Sequence, residues 1–188
     1  MTSVFETQLF IGKNIRFAAP DPGTDAAVES KWTEDAAYLH AIGIRPAYPL
    51  PVNVVKKQHE EDQKEANKNH LFRWAVRLRE DDRLIGWAKI SNFEWTHHIG
   101  VVALGIGMSD DRRKGFGAEA LGMLLRYAFD ELNLHRLRAV VPGYNDGAQR
   151  FFARFGFVEE VRRREALLLN GQRYDDVWIG LLQREWRT

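Results

Sequence analysis

Apolar and polar residues alternate over residues 7–20 (TQLFIGKNIRFAAP), 71–80 (LFRWAVRLRE) and 83–95 (RLIGWAKISNFEW), the period of a half-buried strand. The acidic EDD at 80–82 predicts a hairpin turn between the last two. Residues 99–108, IGVVALGIGM, form a nearly continuous apolar run and predict a central strand covered on both faces. Gly105 and Gly107 interrupt that run, as glycines do at a bulge or where another backbone comes close. Further along, the period changes to three and four: Leu121, Leu124, Leu125, Ala128, Phe129 and Leu132 mark one face of an amphipathic helix. A strand over 135–142 follows, ending at Pro142 and Gly143, and a second helix carries Ala148, Phe151, Phe152 and Phe155 on one face, with Gly156 as its stop. Two closing strands flank Asn170-Gly171, a tight hairpin signal. Between the first two strands, residues 24–42 read as helix and loop with Thr24 as cap, 44–52 as a proline-rich extended loop, and 52–69 as a solvated helix of mixed charge. This order of elements describes a mixed α/β fold with helices packed on a sheet.

Composition narrows the function. The 188 residues suit one domain over 1–188, large enough to bury a core without disulfide or metal staples. The formal net charge of +1 supplies no whole-protein field for nucleic acid or a membrane surface, so any polyanion site must be local. There is no cysteine, which excludes a thiol nucleophile and thiolate metal sites. No two of the six histidines stand four residues apart, and no metal site is expected. The chain has neither a leader pattern nor an 18-residue apolar run, so a soluble, cytoplasmic protein is expected.

The candidate chemistry lies in RRKGFG, residues 112–117, between the central strand and the strongest helix. A helix N-terminus leaves backbone N–H groups unpartnered and stabilises an anion there. Gly115 and Gly117 would admit a diphosphate close to those groups, and Arg112, Arg113 and Lys114 would add charge-assisted bonds. A nucleotide P-loop is excluded because Ala118 stands where Lys-Ser/Thr is needed, and a dinucleotide fold because antiparallel strands precede the loop. On the loop alone, a diphosphate site and a plain strand-to-helix turn with a cationic rim both remain open.

Arg112-x-x-Gly115-x-Gly117 after a Gly-interrupted strand resembles the acetyl-CoA signature of the GNAT acetyltransferase superfamily. Asn145, Gly156-Phe157 and the GQRYDD turn are similar to features of its branch of ribosomal-protein N-terminal and spermidine acetyltransferases, and the likeness covers essentially the whole chain. The resemblance implies a single-domain, mostly antiparallel sheet of six to seven strands with about four helices and splayed fourth and fifth strands. It implies acetyl-CoA as co-substrate, no permanent cofactor, an amine acceptor and a homodimer. The pantetheine arm would lie along Leu104 to Met108, contacting Gly105, Ile106 and Met108, with the Leu104 backbone N–H taking the acetyl carbonyl. The diphosphate would meet Arg113, Lys114, Gly115, Phe116, Gly117 and Ala118 beside Arg112, with Asn145 and Arg150 bordering the arm.

The match fails at the general base and acid, because the family's glutamate and tyrosine positions hold Val101 and Phe152. Glu94, His97 and His98, near the turn before the fourth strand, are the candidates for a substitute base, and read equally as exposed turn residues without a chemical role. The expected reaction is direct acetyl transfer to a protein N-terminal α-amino group, with a polyamine or aminoglycoside as second acceptor and a CoA-binding sensor as the non-enzymatic alternative. Glu29, Glu34 and Asp35 are acidic residues that could draw a cationic amine or simply be solvated.

Overall fold

The computed structural model describes residues 8–43 and 46–186. Its strands are β1 (Ile15–Ala18), β2 (Leu71–Leu78), β3 (Leu84–Glu94), β4 (Ile99–Ile106), β5 (Arg136–Pro142), β6 (Val158–Leu169) and β7 (Gln172–Leu182). They form one seven-stranded sheet in the order β1-β2-β3-β4-β5-β7-β6, with β4 and β5 its one parallel pair among the described residues. The helices are α1 (Asp25–Trp32), α2 (Ala36–Ala41), α3 (Val52–Ala66), α4 (Phe116–Arg126), α5 (Asp146–Ala153) and α6 (Gln183–Trp186).

Six α-helices among the described residues exceed the expected four partly because residues 24–42 fold as two. Asp35 ends the first run by capping a new one, its Oδ1 accepting from Ala37 N (2.9 Å) and Tyr38 N (3.2 Å). Thr24 does not cap α1; its hydroxyl donates to Asp21 instead. The first strand shortens to Ile15–Ala18, held at its start by Glu119, which accepts from the Asn14 backbone N–H (2.8 Å). The Asn-Gly hairpin forms as expected, with φ of 51° at Asn170 and 76° at Gly171.

The two faces of the sheet are covered differently. The stripe along α4 and the wider helical turn that continues it (Tyr127–Glu131) buries Leu121, Leu124, Leu125, Ala128 and Phe129 completely, against Val76, Ile85, Ala88, Ile90 and Val102. Each buried leucine there contributes about 2 kcal/mol. On the opposite face a smaller core of Trp32, Tyr38, Leu39, Ala75 and Leu84 seats α1 and α2 on the β2–β3 hairpin. The second core explains the glycines of β4. A Cβ on Gly107 would stand 2.1 Å from the Trp32 ring and one on Gly105 3.1 Å from the Trp87 ring, so these glycines make room for two indoles, and Gly105 also lines the cleft beside β4.

Candidate active site

Strands β4 and β5 pair only at Ile99–Arg136, Gly100–Leu137 and Val101–Arg138. Beyond Val101 they part, and a cleft of about 320 Å³ opens beside the second half of β4, lined by Leu104, Ile106, Gly117, Asn145, Ala148 and Phe151. The backbone edge facing that cleft follows from the ladder. Gly107 N–H donates to Ile85 on β3 (2.9 Å), so alternation turns the N–H groups of Leu104 and Ile106 the other way, toward the missing strand. β4 thus offers an extended ligand carrying amides an open strand edge.

The next segment is a sharp strand-to-helix turn. Arg113 (φ 63°) and Gly115 (φ 89°) turn the chain sharply into α4, whose first N–H groups face outward without partners. Gly115 needs its glycine for that φ. Gly117 does not: its φ is ordinary, and a Cβ there would touch only Ile106 and Phe151, at 3.9 and 4.0 Å. Among the described residues nothing requires a glycine at 117, yet the space beside it opens into the cleft. That open space fits a diphosphate laid against the backbone, and the Arg113 and Lys114 side chains are exposed at its rim.

Arg112 has a different task from its neighbours. Its guanidinium donates to the carbonyls of Ile106 (3.1 Å) and Gly107, pairs with Asp35 (3.0 Å) and lies over the Tyr38 ring at 5.4 Å. It ties the end of β4 to α2 rather than reaching outward for phosphate. Arg112→Ala should therefore lower stability by about 2 kcal/mol, the worth of charge-assisted bonds to backbone carbonyls. Thermal unfolding of the apo protein checks this; an unchanged midpoint would show that the clamp carries no load.

The remaining expected donor residues divide. Asn145 lines the cleft, with its side chain committed: the oxygen caps α5 at Ala148 N (3.0 Å) and the amide donates to Ala41 O (3.2 Å). Arg150 is exposed on α5. Phe116 turns away to pack on the main core, and the Met108 side chain is exposed outside the cleft lining. Ala118 is half-buried in the first turn of α4.

The substitute bases do not reach the cleft. Glu94 pairs with Ile99, five residues from Leu104, or ~17 Å along a strand. Its carboxylate is bound by Arg138, while His97 and His98 are exposed in the turn beyond it.

On the α1–α3 side lies a second chamber, of about 330 Å³. Its floor is a row across three strands, Arg73, Lys89 and Ala103, with Trp87 beside them. Tyr38 and Ile42 line both this chamber and the cleft beside β4, so the two spaces adjoin there. Tyr38 is the residue that sequence reasoning missed. It is 4% exposed, and its hydroxyl accepts from Trp87 Nε1 (2.8 Å), which leaves its own proton free to be given. Burial pushes its pKa well above the ordinary tyrosine value, so the hydroxyl stays protonated.

The chamber's charges nearly cancel. Arg73 donates to Glu29 (2.6 Å) and Asp62 (2.7 Å), and His59 Nε2 lies 3.0 Å from Glu29. Burial raises the Glu29 carboxyl, but the His59 hydrogen bond and the Arg73 charge outweigh it and hold the group below its usual range. Glu29 is thus a poor base and an already occupied carboxylate. Asp35 is similarly spent on α2 and Arg112.

Residues 15–158 match the family described as the acetyltransferase (GNAT) domain. The chain is 32% identical over 94 residues to the spermidine N(1)-acetyltransferase of Vibrio cholerae, covering 50% of this chain and 53% of that protein. It is 30% identical over 108 residues to the [ribosomal protein uS5]-alanine N-acetyltransferase of Escherichia coli, covering 57% and 55%. The chain thus spans about half the length of these relatives. The crystal structure of the Vibrio cholerae spermidine N-acetyltransferase in complex with CoA and spermine superposes with a TM-score of 0.80 at 22% identity, covering 93% of this chain and 99% of that one. The splayed strands, the glycine turn into α4 and this match over most of the sheet lead to one conclusion: the chain belongs to the GNAT acetyltransferase family.

Proposed function

We propose that the protein transfers an acetyl group from acetyl-CoA directly to an amine, with an α-amino group at a polypeptide N-terminus as the acceptor. The observation that carries this reading is that the two spaces adjoin at Tyr38: an open β4 edge leading to the glycine turn on one side, a half-open chamber large enough for an acceptor on the other. Acetyl-CoA supplies a thioester carbonyl, and the residues here orient it and manage protons. The backbone N–H of Leu104, fixed by its strand, is aimed where an acyl oxygen would gain negative charge. Tyr38 gives its proton to the departing thiolate and takes it back from solvent or product.

Among the described residues, each carboxylate lining the two spaces is already paired with Arg73, which favours an acceptor that needs no base. An α-amino group near pKa 8 is partly neutral at pH 7, whereas an alkylamine near 10 is almost wholly protonated. The balanced charge of the chamber also disfavours polyamines and aminoglycosides, since Arg73 and Lys89 stand in it as cations. Release of CoA thiol, followed against peptides, polyamines and aminoglycosides, tests the reading. Peptides should be acetylated fastest. Faster turnover of a polyamine would overturn the acceptor assignment, and acetyl-CoA binding without turnover of any amine would make the protein a CoA sensor.

A further inference from the structure

We propose that Lys89 is an anion-recognition residue of the acceptor chamber, and that the amine substrate carries a carboxylate close to the reacting nitrogen. This rests on the acetyl-transfer reading above. Four charged residues line the chamber, and three are bonded directly to one another: Arg73 lies between Glu29 and Asp62, and bonds both. Lys89 is the exception. Among the described residues no carboxylate comes within ion-pair distance of its Nζ, which instead lies 5.6 Å from the centre of the Trp87 ring. The Arg73 guanidinium lies 5.8 Å from the same ring, so the two cations share one aromatic surface.

A half-buried ammonium held without a hydrogen-bonded anion is costly, and an incoming carboxylate would relieve that cost. Consistent with this, burial moves the Lys89 pKa down, against the weaker pull of Asp62. The position suits substrate recognition. Lys89 pairs across the ladder with Ala103, next to Leu104, so it stands about one strand spacing, ~5 Å, from the β4 edge that would hold the acetyl group. A carboxylate bound there leaves the amine facing the junction at Tyr38. The α-carboxylate of a free amino acid and an acidic side chain at a peptide's first residues share this chemistry.

Matched acceptors test the proposal: an amino acid against its amide, and a peptide opening with Glu against one opening with Gln. With each pair, CoA release and calorimetric binding to the CoA-saturated protein are measured. The anionic member should be favoured about ten- to a hundredfold, the worth of one charge-assisted bond. Whichever pair shows the preference identifies the source of the carboxylate. Lys89→Met should abolish the preference and Lys89→Glu should reverse it, both with the acetyl-CoA thermal shift retained. No preference in the wild type, or a preference that survives Lys89→Met, would overturn the proposal. Discrimination in binding with no CoA release from any amine would leave the anion site standing and remove the acetyl-transfer reading.

Discussion

Gly117→Val should fold as well as the wild type and bind acetyl-CoA at least about a hundredfold more weakly, a loss of ~2.8 kcal/mol. The two halves of that expectation come from the same geometry. The new Cβ meets protein only at ordinary contact distances, 3.9 Å to Ile106 and 4.0 Å to Phe151, and φ at 117 suits any residue. Replacing a glycine in the first turn of α4 also lowers the backbone entropy lost on folding. The valine γ-carbons, however, extend into the cleft where the diphosphate must approach the helix N–H groups. Unfolding midpoints without ligand and titration calorimetry with acetyl-CoA check the two parts separately. Normal affinity in a folded variant would place the diphosphate elsewhere. Gly105→Val, by contrast, should destabilise the fold itself, because its Cβ meets the Trp87 ring at 3.1 Å.

Tyr38→Phe should lower kcat by about a hundredfold while leaving the KM for acetyl-CoA unchanged, the usual scale for loss of a positioned proton donor. The ring remains, so the stacking of Arg112 and the small core of Trp32 and Leu39 persist. What goes is one hydroxyl, whose oxygen sits 2.8 Å from an indole nitrogen that is itself 3.1 Å from where a Cβ on Gly105 would stand. The pH profile carries a second readout. Because burial raises the Tyr38 pKa above the ordinary value of 10, the donor stays protonated throughout the working range, and the wild-type rate should rise with pH as the amine deprotonates, without an acid-loss limb below pH ~10. A fall in rate near pH 8 or 9, or full activity in Tyr38→Phe, would assign the proton to another group.

Much of this was legible in the sequence, for reasons that are local. The three-and-four spacing of Leu121 to Leu132 and the Asn-Gly pair at 170–171 depend only on neighbours along the chain, and both stand where the pattern predicts. The glycine turn at 113–117 is also local, and the φ of 89° at Gly115 follows from its residue, whereas the left-handed angle at Arg113 does not. Features built from distant segments were not legible. Gly105 and Gly107 read as a bulge or a ligand approach, but the indoles they also make room for come from β3 and from α1, with Trp32 75 positions away in sequence. Arg112 read as a phosphate ligand, yet Asp35 on the far side of the chain holds it inward. Glu29 read as a free carboxylate until β2 and α3 brought Arg73 and His59 against it. Tyr38 carried no signal at all, since a tyrosine on a short helix marks a buried core position as readily as a proton donor. The substitute bases failed for a simple metric reason: strand length puts Glu94 and His97 at the wrong end of β4.

The most direct test of the account is thermal unfolding of the wild type and of Gly117→Val, each with and without acetyl-CoA. At about 100 times its dissociation constant, a ligand of the native state adds ~2.7 kcal/mol of apparent stability. For a chain of this size that corresponds to a rise of about 5–10 °C in the wild type, with little or none in the variant. A wild-type midpoint that does not move with acetyl-CoA, or an equal rise in both proteins, would contradict the assignment of the cleft.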